Sequence, residues 1–99
     1  MRQKSITVNG VGTSNWIPVD YKQSPFSLSI SVTVTGPSVY TIEYTLDDLS
    51  NVTNIYKHPV LQSRSVNTHD GFTQPIRAFR LVNSSGVGST TATYMQGLR

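Results

Sequence analysis

The stretch Phe26-Ser27-Leu28-Ser29-Ile30-Ser31-Val32-Thr33-Val34-Thr35 decides the fold class of this chain, because five apolar residues alternate with five small hydroxyl residues. Period two is the repeat of a β-strand with one face on a core and one face on water. A helix would scatter Phe26, Leu28, Ile30 and Val32 around its circumference, and Ser, Thr, Val and Ile are mediocre helix formers. Gly36-Pro37-Ser38 breaks the run. Alternation resumes in Val39-Tyr40-Thr41-Ile42-Glu43-Tyr44-Thr45-Leu46, which predicts that the two runs pair as an antiparallel hairpin.

Working outward, Ser5-Ile6-Thr7-Val8 predicts a short strand ended by the turn dipeptide Asn9-Gly10. Thr13 to Val19 predicts a second extended stretch, with Pro18 at an edge or a strand end because proline cannot donate to a ladder. Ile76 to Val82 and Ser89 to Met95, joined by Asn83-Ser84-Ser85-Gly86-Val87-Gly88, read as a closing hairpin. Between Asp47 and Pro75 the alternation fails, and that long segment is expected to hold one or two short strands, near Asn54–Lys57 and Gly71–Thr73. Asp47-Asp48-Leu49-Ser50 offers at most one helical turn. No segment repeats apolar residues at helical spacing. The expectation is a single all-β domain over residues 1–99, a small antiparallel β-sandwich or jelly roll of about six to eight strands. Phe26, Leu28, Ile30, Val32, Tyr40, Ile42 and Leu46 are its expected core.

Composition narrows the chemistry. The 99 residues carry 8 Lys+Arg against 5 Asp+Glu, a net charge of +3, and the 13% charged content leaves Ser (13) and Thr (12) as the dominant polar residues. That is a folding chain and not the high-charge composition of disorder. With no cysteine there is no disulfide framework, thiolate metal site or cysteine nucleophile. No apolar run approaches the roughly 18 residues of a membrane-spanning helix. The N-terminal residues have no apolar signal region, so synthesis in the cytoplasm is expected, and the sequons at Asn51 and Asn83 follow from the Ser/Thr-rich composition.

Isolated residues replace any catalytic constellation. His58 and His69 are the only imidazoles, and His69 and Asp70, adjacent on an extended chain, point to opposite sides. Asp47 and Asp48 are contiguous, as turn or cap residues are, where a glycosidase needs two carboxyls across a groove. Gly86-Val87-Gly88-Ser89-Thr90 lacks the helix that a phosphate loop requires behind it. The eight basic residues, Arg2, Lys4, Lys22, Lys57, Arg64, Arg77, Arg80 and Arg99, are spread along the chain, which makes nucleic acid an unfavoured partner. The expectation is no catalytic residue, no cofactor and no metal. Aromatic and arginine anchors are enriched in interfaces, so Ile55, Tyr56, His58, Arg64 and Phe72, gathered in the irregular segment, are the candidate partner-binding residues. The competing expectation for that segment is that Ile55 and Phe72 close one end of the core. Trp16 and five tyrosines also admit a carbohydrate-binding or host-receptor module as an alternative.

As an ordered set, Val8-Asn9-Gly10-Val11-Gly12, Tyr21 to Ser27, the alternating strand, Tyr40 to Asp48, His58-Pro59, Pro75 to Leu81, Ser85 to Ser89 and Thr91-Ala92-Thr93 resemble small structural proteins of tailed bacteriophages. Ser50 to Tyr56 departs from the aromatic-rich stretch of that group. The resemblance implies a non-enzymatic virion component. It would be a capsid cement or decoration protein that stabilises the head, or a part of the tail or head-to-tail junction. It further implies the major capsid protein or other virion proteins as partners, a homo-oligomeric state, and residence in the virion without membrane contact.

Overall fold

A computed structural model describes residues 3–22 and 26–96. Arg2, Arg99 and the middle of the Tyr21–Ser27 stretch lie outside the described residues. Nine strands form: β1 (Lys4–Asn9), β2 (Gly12–Thr13), β3 (Ile17–Pro18), β4 (Leu28–Thr35), β5 (Val39–Thr45), β6 (Tyr56–Lys57), β7 (Thr68–Phe72), β8 (Ala78–Ser85) and β9 (Ser89–Gln96). No helix occurs among the described residues. They make two antiparallel sheets, β1-β9-β4-β7 and β2-β8-β5-β6, with β3 also on β8. The fold is an all-β sandwich.

The pairing is nested: β1 with β9, β2 and β3 with β8, β4 with β7, and β5 with β6. One long antiparallel ribbon, folded over so that β4 also meets β9 and β5 also meets β8, gives this order, which is that of a jelly roll. Strands β2 and β3 are two halves of one edge strand. Between them the Ser14 amide donates to Leu81 O, and the Ser14 hydroxyl accepts from the Leu81 amide, both at 2.9 Å. The expected strand count is thus exceeded only by this break. Pro18 sits on that edge, where its missing N–H leaves no ladder bond unmade.

Two expected hairpins do not form. Strands β4 and β5 lie in different sheets, and so do β8 and β9. The glycine-rich connections that resemble hairpin turns are corners between the sheets, and they pack backbone on backbone. The Gly88 amide donates to Pro37 O at 2.7 Å and the Gly10 amide to Gly88 O at 2.8 Å. Gly86 has φ +97°, and a Cβ there would meet the Pro37 carbonyl, so only glycine fits.

The core lies between the sheets. Phe26, Leu28, Ile30 and Val32 from the alternating run face Tyr40, Ile42, Phe79 and Leu81, and Phe79 meets Tyr94 edge-on with ring centroids 5.1 Å apart. Full burial of each such aliphatic side chain contributes roughly 1.5–3 kcal/mol. Leu46 is a correction: it is 53% exposed, because β5 ends at Thr45 and the chain turns away before the alternation reaches it. Two residues from the irregular segment and the β8 approach, Leu61 and Ile76, belong to the core instead, at 0% and 3% exposure.

Candidate functional site

The segment from Asp47 to Phe72 is built by side chains that bond to its own backbone. Asp47 Oδ2 accepts the amides of Thr53 (2.9 Å) and Asn54 (2.7 Å), and these N–H groups hold its carboxyl below the usual aspartate range. Asp48 caps the amide of Ser50 at 3.1 Å and is shifted the same way, chiefly by that bond. The two aspartates therefore close a loop and leave the expected helical turn as a plain turn, Asn51 N–H to Asp48 O. The Thr45 hydroxyl donates to Asn54 O at 2.8 Å, which ties the loop to the end of β5.

His58 is the latch of the segment. It is 4% exposed. Its Nε2 lies 2.8 Å from Gly71 O on β7, and its Nδ1 accepts the amides of Val60 and Leu61, both at 3.1 Å. The two accepted N–H bonds leave the proton on Nε2, directed at the Gly71 carbonyl. The ring thus joins the edge of one sheet to the edge of the other. From His58 onward the chain runs irregularly along β5: His58 N–H to Ile42 O, Ile42 N–H to Leu61 O, and a reciprocal pair between Tyr40 and Arg64. This arrangement satisfies the β5 edge that the two-residue strand β6 leaves open.

Of the five candidate residues, the structure brings three into one aromatic cluster. Tyr56 on β6 lies over Tyr44 (5.5 Å between centroids), Tyr44 meets Phe72 edge-on (5.0 Å), and Phe72 meets the His58 ring (4.8 Å). Phe72 is half-buried and pairs with Leu28, so it closes the core as the competing expectation had it. Ile55 does not: it is 46% exposed, and Tyr56 is 45% exposed. Arg64 is exposed, with its Nε bonded back to Val60 O at 2.9 Å. His58 is a correction as a contact residue, since both ring nitrogens are committed inside the fold. Beside this cluster a cleft of about 270 Å³ opens between the sheet edges, walled by Tyr44, Leu46, His58, Pro59, Phe72 and Pro75.

Two surface features escaped the sequence reading. Leu46, Leu49, Val60 and Val66 join Ile55 and Tyr56 as exposed large apolar side chains, so six of the ten such residues among those described fall between positions 46 and 66. The signal was present in their number, but irregular spacing hides which side chains face water. The second feature is the outer face of the β1-β9-β4-β7 sheet. Register aligns Ser5, Thr93, Ser31 and His69 in one rung, and Thr7, Thr91 and Thr33 in the next. The Thr7 and Thr91 hydroxyls are 2.9 Å apart. Only the β4 row of this hydroxyl face is legible without the strand order.

The carboxylates and two of the arginines are spent on structure. Arg80 pairs with Glu43 at 2.7 Å and covers the Trp16 ring at 4.5 Å, and Arg77 lies 4.3 Å over Tyr21. Asp20 caps the Lys22 amide and Asp70 the Gly71 amide. All five carboxylates of the chain are thereby engaged in local bonds. No group of three His, Asp or Glu side chains that could hold a metal ion occurs among the described residues, nor does a helix long and apolar enough to cross a membrane. Comparisons with protein-family models, with curated proteins and with solved structures give no match.

Proposed function

We propose that the chain is a bacteriophage virion structural protein that acts by binding, as a capsid cement or decoration protein contacting capsid subunits. The observation that carries this reading is the run of exposed apolar and aromatic side chains on either side of β6, Leu46, Leu49, Ile55 and Tyr56, in a segment held in place by Asp47, Asp48 and the buried His58. A concentration of exposed apolar side chains in one segment is suited to meeting another protein. The irregular segment is also rigidly supported, so little ordering entropy opposes binding.

The ordered sequence resemblance to small phage structural proteins supports the same reading, and the jelly roll is a scaffold that viral capsid domains use among many others. On a capsid, many copies and neighbouring contacts make a modest single affinity sufficient. Mass spectrometry of gradient-purified particles tests the proposal: the protein is expected in a fixed copy number per major capsid subunit, and particles lacking it are expected to lose their genome at lower temperature. Its absence from purified particles contradicts the proposal.

A further inference from the structure

A sandwich of two open sheets has four edges, and three of them are blunted here. Strand β6 is two residues long, and the His58–Arg64 segment covers the rest of that edge. The β2/β3 edge is broken in the middle and carries Pro18. On β7, five residues long, the outward backbone groups are those of His69 and Gly71, and the Gly71 pair is engaged: its amide by Asp70 Oδ1 at 2.8 Å and its carbonyl by His58 Nε2. Short strands, proline and a carboxylate on the edge are the devices by which sheets avoid pairing with other chains.

Strand β1 has none of them. It is six residues of regular ladder, Lys4 to Asn9, with one charge at its first position and no proline or bulge. The Gly10 N–H to Gly88 O bond extends the β1–β9 register, so the even-numbered residues Ile6 and Val8 bond to β9. The N–H and C=O groups of Ser5, Thr7 and Asn9 then point away from the sheet, with no partner among the described residues. Ile6 and Val8 are also only half-buried at this edge, packed against the core on one side.

We propose that β1 pairs with β1 of a second copy, antiparallel about a two-fold axis at Thr7, to join two four-stranded sheets into one of eight. The sequence is self-complementary in that register. Thr7 falls opposite Thr7 of the second copy, and Ser5 opposite Asn9. Ile6 falls opposite Val8, which gives an apolar cross-strand pair twice. Lys4 falls opposite Gly10, which keeps the two lysines at opposite ends. The hydroxyl rungs of the two outer faces become one continuous, uncharged surface. The contact is a single strand pair, so the dimer is weak and concentration-dependent. The proposal stands independently of the virion reading.

Sedimentation equilibrium of the full chain from micromolar to millimolar concentration is expected to show a reversible monomer–dimer equilibrium. Thr7→Pro removes an outward N–H from each copy without touching the β9 ladder, and weakens the dimer roughly ten- to hundredfold. Thr7→Lys, which places two like charges directly opposite, weakens it as well. Because the chain has no cysteine, Thr7→Cys gives a thiol pair at Cα atoms about 5.5 Å apart, within disulfide reach, and cross-links under mild oxidation far faster than Val87→Cys on an exposed loop. Should the proline variant fail to fold, the cysteine pair still decides. A monomer at millimolar concentration, or a dimer that is indifferent to Thr7→Lys and in which the two cysteine variants cross-link alike, overturns the proposal.

Discussion

Replacing His58 with phenylalanine keeps a ring of similar size against Phe72 but removes three hydrogen bonds, to Gly71 O, Val60 N and Leu61 N. Leu61 is 0% exposed, so its amide is left buried without an acceptor, at a cost of about 1–3 kcal/mol. Val60 and Gly71 are partly accessible to water, and their lost bonds add about 0.5–1.5 kcal/mol each. The expected destabilisation is about 2–6 kcal/mol, a large share of the roughly 5–15 kcal/mol that holds a domain of this kind. Urea unfolding followed by tryptophan fluorescence should show the midpoint moving to lower urea at an unchanged slope. Hydrogen exchange should speed at Leu61 and at the Ile42 amide that bonds to it. A loss below about 0.5 kcal/mol, within what an ordinary surface substitution does, would refute the reasoning that this ring ties the two sheet edges together.

Other outcomes follow from the same geometry. Leu28→Ala or Ile30→Ala should each cost roughly 2–5 kcal/mol in chemical unfolding, whereas Leu46→Ala, at an exposed position, should stay within about 0.5 kcal/mol. Gly86→Ala should lower the melting temperature sharply, since both its positive φ and the Pro37 carbonyl oppose a side chain. Asp47, whose folded pKa is depressed by the Thr53 and Asn54 amides, contributes loop order that is complete above the ordinary aspartate pKa and lost as pH falls through the lower folded value. The Thr53 and Asn54 amide signals should report that loss in an acid titration, and Asp47→Asn should abolish the transition.

The alternating run carried its structure openly, because period two in Phe26–Thr35 leaves one reading, and Tyr40 and Ile42 followed by the same rule. What local pattern could not carry was partner choice. Gly36-Pro37-Ser38 has the chemistry of a hairpin turn and of a corner between sheets alike, and the decision is made by β9, which pairs with β4 over eight residues from across the chain. Leu46 was misplaced for a related reason: alternation continues in sequence after the strand has stopped, since Thr45 is drawn to Asn54 by a bond that spacing does not show. Among the site residues, Tyr56 and Ile55 stand exposed, as an interface needs, but His58 has two ring nitrogens that find backbone partners thirteen or fewer residues away. A lone histidine in an irregular segment gives no sequence signal that separates a latch from a contact.

Occupancy on particles is the most direct measure of the central claim, that the apolar surface around β6 binds the capsid. The variant Ile55→Ser with Tyr56→Ala removes exposed apolar area and the Tyr44–Tyr56 ring contact, worth about 0.5–1.5 kcal/mol, but leaves the buried residues of the core untouched, so it should stay folded with a melting temperature lowered by about 4–8 °C per kcal/mol lost. Added to particles that lack the protein, the unaltered chain should bind to a fixed stoichiometry, and the variant should fail to bind at the same concentration. A folded variant that decorates particles as fully as the unaltered chain would contradict the account.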